Sequence, residues 1–270
     1  MAPRAVDADL RDPAVARRVV AGATPAVVYH LAARAHVGAS WEDPAGTIAD
    51  NVGMTVAMLE AVRAEAPDAV VLVVGSGEEY GRPDVLPTPE DAPPRPQNPY
   101  AVSKASAGLV AGFYADAHGL RVVRARAFNH AGPGQEDHYA AASFARQVAA
   151  GLEAGEDPVR VVTGSPDTRR DYTDVRDVVR AYRLLAARGE AGVWNVCSGV
   201  ARSARELVAA LGEAAGVAVE HVIDPARVRA HEVQEVRGDN GRLRADTGWA
   251  PEIPLQRTLA DAVADWRKRL

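Results

Sequence analysis

A single cysteine, Cys197, stands in the whole chain, which excludes a disulfide framework and a cysteine-built zinc site. The seven histidines are scattered without metal-ligand spacing, and no metal is expected. No apolar run reaches the length that spans a bilayer. The opening residues, MAPRAVDADLRD, lack the apolar core of a secretion signal. Basic blocks are missing too: the formal net charge is −5, so no nucleic-acid surface is expected. What remains is a soluble chain, read as cytoplasmic. Its 270 residues are 47% hydrophobic and 25% charged, enough for one large domain or two small ones around a core.

Strand-like and helix-like stretches alternate. Residues 4–9 (RAVDAD) read as the tail of a strand, and Asp12-Pro13 opens a helix to about Gly22. AVVYHLAA (26–33) is a continuous apolar run, which predicts a strand buried on both faces of a parallel sheet. A long helix is expected over 44–66, with Ile48, Val52, Val56, Leu59 and Val62 on one apolar face. AVVLVV (69–74) is a second buried strand, 99–118 a helix and RVVRARAF (121–128) a third strand. Beyond the loop NHAGPGQEDH come helix 139–152, strand 159–163, a helix from about Asp174 to Arg188, strand 193–198, helix 203–215, strand 219–223 and a last amphipathic helix, Leu255–Leu270. The alternation predicts an α/β fold with a doubly wound parallel sheet. No repeat and no long linker interrupts it. A smaller C-terminal α/β lobe is expected to interleave with the sheet: residues 1–130 with parts of 165–200 on one side, mainly 131–270 on the other.

The chemistry concentrates between Val70 and Lys104. A valine run ends at Gly75-Ser76, and after a proline-rich loop a helix begins at Asn98-Pro99, an N-cap followed by a residue suited to the first helical position. Tyr100 and Lys104 then lie one turn apart on one face. If Ser76 packs opposite, a hydroxyl, a phenol and an ammonium converge on a site able to move a proton on or off a carbonyl oxygen. A free tyrosine titrates near ~10, and a neighbouring ammonium favours its phenolate. The plainer alternative is an ordinary helix with a half-buried tyrosine and an exposed lysine; the capped start and the strand ending in Gly-Ser argue against it.

GSGEEYG…NPYAVSKAS resembles the extended short-chain dehydrogenases/reductases of the nucleotide-sugar branch. RARAFNHAGPGQ (124–135), RRDYTDVRDVVRAYRLL (169–185), WNVCSG (194–199) and TGWAPEIPLQRTL (247–259) are similar to the GDP-4-keto-6-deoxy-mannose reductases, with the GDP-mannose 4,6-dehydratases as near relatives. The resemblance runs from about Asp9 to the C-terminus and implies a Rossmann-like sheet, NADP or NAD as cofactor, and a GDP-sugar substrate. It assigns proton donation to Tyr100, tuning of Tyr100 and a hold on the nicotinamide ribose to Lys104, and a hydrogen bond to the ketone to Ser76. Glu78 matches the base of the dehydratases. Asp9 and Leu10 match a pair beside the adenine. Leu31, Ala32, Ala33 and Arg34, with Asn51 on the next helix, lie toward the cofactor, and His130 toward the nicotinamide. Asn129 and Arg170 match nucleotide-sugar positions, although Arg169 beside it has equal standing by spacing. Arg229 and Glu232 resemble an Arg-Pro-x-Glu element, here with Ala230 in place of the proline. A homodimer through helices 44–66 and 99–118 is implied as well.

Family members carry a glycine-rich phosphate turn before the position of Ala26; this sequence shows none there. The chain is therefore expected to lack the first two βα units, which would leave the strand at 26–33 with an unpaired edge and an uncovered apolar face. A start assigned too late, a remnant, and completion by a partner all account for that, and intact catalytic residues favour the first. Phe-Asn-His-Ala-Gly at 128–132 points to a reductase, where dehydratases resemble Phe-Asn-His-Glu-Ser. A dehydratase or epimerase, and a non-catalytic remnant, are the alternatives.

Overall fold

The computed structural model describes residues 5–228 and 233–270. In chain order its elements are α1 (Pro13–Ala23), β1 (Val27–His30), α2 (Val37–Glu42), α3 (Pro44–Glu65), β2 (Val70–Ser76), α4 (Pro99–His118), β3 (Arg121–Ala127), β4 (Asn129–Ala131), α5 (Ala140–Ala154), β5 (Val159–Thr163), β6 (Arg169–Asp174), α6 (Val175–Arg188), β7 (Gly192–Val196), β8 (Ala201–Ser203), α7 (Ala204–Ala215), β9 (Val219–Ile223), β10 (Glu235–Val236), α8 (Gly241–Thr247) and α9 (Leu255–Arg269). A 3-10 turn, Gly77–Tyr80, follows β2. They form two compact units. One comprises the chain up to Pro83, Glu90–Ala127 and Tyr182–Asn195; the other comprises Asp84–Pro89, Phe128–Ala181 and Val196–Leu270.

The first unit is built on a sheet of order β1-β2-β3-β7. β1 runs parallel to β2 from Val27↔Val70 to His30↔Val73, and β2 parallel to β3 from Val70↔Arg121 to Ser76↔Ala127. Val71, Leu72, Val122 and Val123 are fully buried, as an interior parallel sheet requires. Leu59 and Val62 of α3, Val20 of α1 and Ala111 of α4 pack with Val71 and Val73 into one cluster. The shared strand direction carries the segments after β1 and β2 to one edge, the place where α/β sheets bind ligands.

Three expectations fail here. Residues 5–9 form no strand; Leu10 and Arg11 lie in a turn leading into α1. β1 is shorter than the apolar run suggested and is not buried on both faces: only His30 of its four residues is buried and Tyr29 is 41% exposed. Among the described residues it pairs with β2 alone, so it is an edge. The buried stripe of α3 is shifted by one residue, to Thr47, Asn51, Thr55, Met58, Leu59 and Val62, while Ile48, Val52 and Val56 are half-buried. Polar residues take the inner stripe because hydrogen bonds compensate their burial. Thr55 Oγ1 donates to Asn51 O at 2.8 Å and lies 3.2 Å from His30 Nε2.

In the second unit β6 lies between β10 and β4, and β8 pairs with it antiparallel. β5 and β9 form a separate parallel pair. Phe144, Val148, Leu207, Leu211, Leu259 and Trp266 from α5, α7 and α9 make the core. Asp171, fully buried on β6, accepts hydrogen bonds from Ser198 N at 2.8 Å, Ser198 Oγ at 2.6 Å and Gly199 N at 2.9 Å. No helix among the described residues is long and apolar enough to cross a membrane.

Candidate active site

The carboxyl end of β2 and the first turns of α4 are tied together by side chains. Asn98 caps α4: its Oδ1 accepts from Ala101 N at 2.8 Å, and its Nδ2 donates to Glu78 Oε2 at 3.1 Å. One turn on, Lys104 is 7% exposed and donates from Nζ to Val74 O at 2.8 Å. The ammonium stands 6.0 Å from the centroid of the Tyr100 ring. Two of its three N–H bonds find no acceptor among the described residues. Burial lowers the Lys104 ammonium to about 8, against an opposing pull from the Glu79 carboxylate.

Ser76, buried, closes β2 and caps the turn that follows. Its Oγ accepts from Glu78 N at 3.2 Å, and its N–H donates to Glu79 Oε1 at 2.8 Å. This capping box explains why the strand turns sharply where the hydroxyl emerges. Glu79 is 1% exposed and pairs through Oε2 with Arg126 Nε at 2.9 Å. The Arg126 guanidinium lies over the Tyr80 ring, 4.6 Å from its centroid, and Tyr80 donates to Asn195 Oδ1 at 2.7 Å. Burial pushes the Glu79 carboxyl up, opposed first by the Arg126 charge. The family resemblance points to Glu78 and assigns no role to Glu79. The signal was present, since Ser76-x-x-Glu79 has capping-box spacing.

On the same edge the turn after β1 is held by Asn51. Its Oδ1 accepts from Arg34 N at 2.7 Å, and its Nδ2 donates to Arg34 O at 3.2 Å and to Ser103 Oγ at 2.8 Å. Buried and fully bonded, Asn51 fixes both the turn and the residue before Lys104. Leu31, Ala32 and Arg34 are exposed and Ala33 half-buried. The Arg34 guanidinium pairs with Asp43, the N-cap of α3, at 2.6 Å. His30 is buried, and burial brings its imidazole down to about 4, with the Lys104 charge acting the same way. Asp9 is exposed and paired with Arg11 at 2.7 Å, while Leu10 packs against the core of the first unit.

The remaining expected residues belong to the second unit. Asn129 and His130 lie on β4 opposite Tyr172 and Thr173 of β6. His130 Nδ1 is 3.2 Å from Phe128 O, and burial lowers its imidazole. Arg170 Nη1 donates to Arg169 O and Val233 O, both at 2.9 Å. Arg169 is engaged by Glu206 at 3.0 Å. Arg229 and Glu232 lie outside the described residues.

A buried ammonium behind a tyrosine, at the strand end of an open α/β sheet, is equipment for acid–base chemistry on an oxygen. A family model described as GDP-mannose 4,6 dehydratase matches residues 2–262, and the chain belongs to that family of extended short-chain dehydrogenases/reductases. It is 42% identical to GDP-6-deoxy-D-mannose reductase of Pseudomonas aeruginosa, over 91% of this chain and 82% of that one. It is 33% identical to UDP-glucose 4-epimerase of Mycolicibacterium smegmatis, over 98% and 81%. Among solved structures, RMD from Pseudomonas aeruginosa complexed with NADPH superposes with a TM-score of 0.92 at 38% identity, covering 100% of this chain and 90% of that one.

Proposed function

We infer that this chain is a nucleotide-sugar oxidoreductase that reduces the 4-keto group of GDP-4-keto-6-deoxy-D-mannose, giving GDP-6-deoxy-D-mannose, with NADPH or NADH as reductant. The observation that carries the reading is the Lys104 ammonium, buried beside Tyr100 at the carboxyl end of β2. Kinship to a reductase of that name supports it.

The residues present fit a dinucleotide. The turn at Leu31–Arg34 offers two small side chains at an open sheet edge, and Lys104 has donors to spend on hydroxyls. Lys104 would hold the nicotinamide ribose, the 31–34 turn and Asn51 the neighbouring part, His130 the nicotinamide side, and Asp9 and Leu10 the adenine. When bound, that group supplies the hydride. Tyr100 gives its phenolic proton to the carbonyl oxygen as it becomes an alkoxide. Lys104 favours the phenolate left behind, and Ser76 holds the ketone oxygen in line. Asn129 and Arg170 take the GDP portion, a guanidinium suiting a diphosphate because it bonds in two places. A homodimer through α3 and α4 is part of the reading: Leu109 and Phe113, four apart on α4, are 68% and 59% exposed. So is a cytoplasmic place of work, which cell fractionation would check.

Glu78 favours a second reading. Its carboxylate, two residues past Ser76 and bonded to the α4 cap, is positioned as the base of a 4,6-dehydratase acting on GDP-mannose. Glu78→Gln separates the two. Reduction of the 4-keto sugar within a few-fold of wild type supports the reductase; loss of water elimination from GDP-mannose in the variant, present in the wild type, supports the dehydratase.

A further inference from the structure

Beside Lys104 the first unit holds a cavity of about 10 Å³, the volume that admits one water molecule. Lys104, Glu79, Arg124 and Arg126 line it, with Gly75 and Gly108. Gly75 is required for the Glu79 carboxylate to sit here, since a Cβ there would collide with Glu79 Oε1. The charged and titratable groups facing Lys104 are His30 of β1, Tyr100 of its own helix, Glu79 of the 3-10 turn, and Arg124 and Arg126 of β3. Glu79 is the one carboxylate among them.

We propose that Glu79 is a positioning residue for the Tyr100–Lys104 pair: through one water in this cavity its carboxylate supports the Lys104 ammonium, while its second oxygen pins Ser76. The geometry suits both tasks. Oε1 accepts from Ser76 N, and Oε2 is fixed by Arg126 Nε. The carboxylate cannot leave without stranding the Arg126 guanidinium, which is expensive at this burial. A water between Glu79 and Lys104 would accept one of the ammonium protons that Val74 O leaves unbonded and donate to the carboxylate, satisfying both buried ions. Removing the carboxylate leaves Lys104 facing only cations and neutral rings, so the ammonium gives up its proton more readily.

The composition makes this measurable. The chain has two lysines, Lys104 and Lys268, and Lys268 is exposed in the last turn of α9. With 13C at lysine Cε, an NMR titration of the full chain therefore shows two resonances, one an internal reference. In Glu79→Gln the Lys104 midpoint falls by roughly two pH units, the size of a charge interaction across one water at an effective dielectric near 20. Lys268 stays put, and Glu79→Asp, which keeps the charge, recovers most of the fall. An unchanged Lys104 midpoint in a folded Glu79→Gln chain overturns the proposal. Should that variant fail to fold, Lys104→Met tests the reciprocal coupling: the Glu79 carboxyl 13C resonance then titrates at higher pH than in wild type, and no movement overturns the proposal equally. The catalytic consequence rests on the reductase reading: the alkaline limb of kcat/KM shifts down together with the Lys104 midpoint. The titrations use neither sugar nor dinucleotide, so absent turnover would count against that reading and leave the coupling standing.

Discussion

Lys104 faces Tyr100 from inside the protein: its ammonium is 6.0 Å from the phenol ring and is anchored to the Val74 carbonyl at 2.8 Å. A lysine held this way titrates as part of the site. Its ammonium lies near 8, so kcat/KM for ketone reduction should fall as pH rises through about 8, where the cation that favours the Tyr100 phenolate is lost. Stability moves the opposite way. Between the folded value and the ordinary lysine value the unfolded chain binds more protons, so folding gains about 2 kcal/mol from pH 7 to 9.5. Lys104→Met should remove that gain, seen in urea melts at the two pH values, and lower kcat by on the order of 100-fold or more.

Asn51 joins the turn after β1 to α4. Asn51→Ala leaves the Arg34 backbone and the Ser103 hydroxyl without their buried partner, which costs roughly 1–3 kcal/mol. Chemical denaturation should show that loss. Titration with NADPH, followed by nicotinamide fluorescence, should show weaker binding, because the turn proposed to face the dinucleotide loses its anchor. Loss of stability with unchanged binding would remove Asn51 from the cofactor side.

Asp171 organises the second unit. Burial pushes its carboxyl up, while hydrogen bonds from Ser198 act in the other direction. Asp171→Ala strands the N–H groups of Ser198 and Gly199 in a buried turn. A destabilisation of roughly 3 kcal/mol is expected, read as an earlier midpoint in urea, while the first unit's Lys104 resonance keeps its position.

The exposed pair on α4 addresses assembly. Leu109→Glu with Phe113→Glu should convert a dimer into a monomer of unchanged melting cooperativity, as measured by light scattering after size exclusion. A wild-type chain that elutes as a monomer would remove the dimer from the account.

Much of this was legible in the sequence because the signals are local. Asn98-Pro99 before Tyr100 carries its own cap chemistry, and the valine run before Ser76 has no reading but a buried strand. For β1 two signals conflict: the apolar run Val27–Tyr29 reads as buried on both faces, while the missing glycine-rich unit before it implies an unpaired edge, and the strand is an edge. The α3 stripe was misplaced by one residue for a related reason. Hydropathy ranks Asn51 and Thr55 as outward-facing, and only the hydrogen bonds to Arg34, Ser103 and His30 make their burial favourable. The Ser76-x-x-Glu79 spacing announces the cap, but the burial of the Glu79 carboxylate depends on Arg126, 47 residues away.

The most direct measurement is turnover of GDP-4-keto-6-deoxy-D-mannose by the purified chain and by Tyr100→Phe, following loss of reduced-nicotinamide absorbance and the C4 resonance of the sugar by NMR. The account predicts that the wild type converts the C4 carbonyl to an alcohol with either NADPH or NADH. It also predicts that Tyr100→Phe binds the sugar nucleotide as well as the wild type but turns it over at least about 100-fold more slowly. A Tyr100→Phe chain as fast as the wild type would contradict the assigned proton donor. A wild type that leaves the ketone untouched with both reductants would contradict the reductase itself.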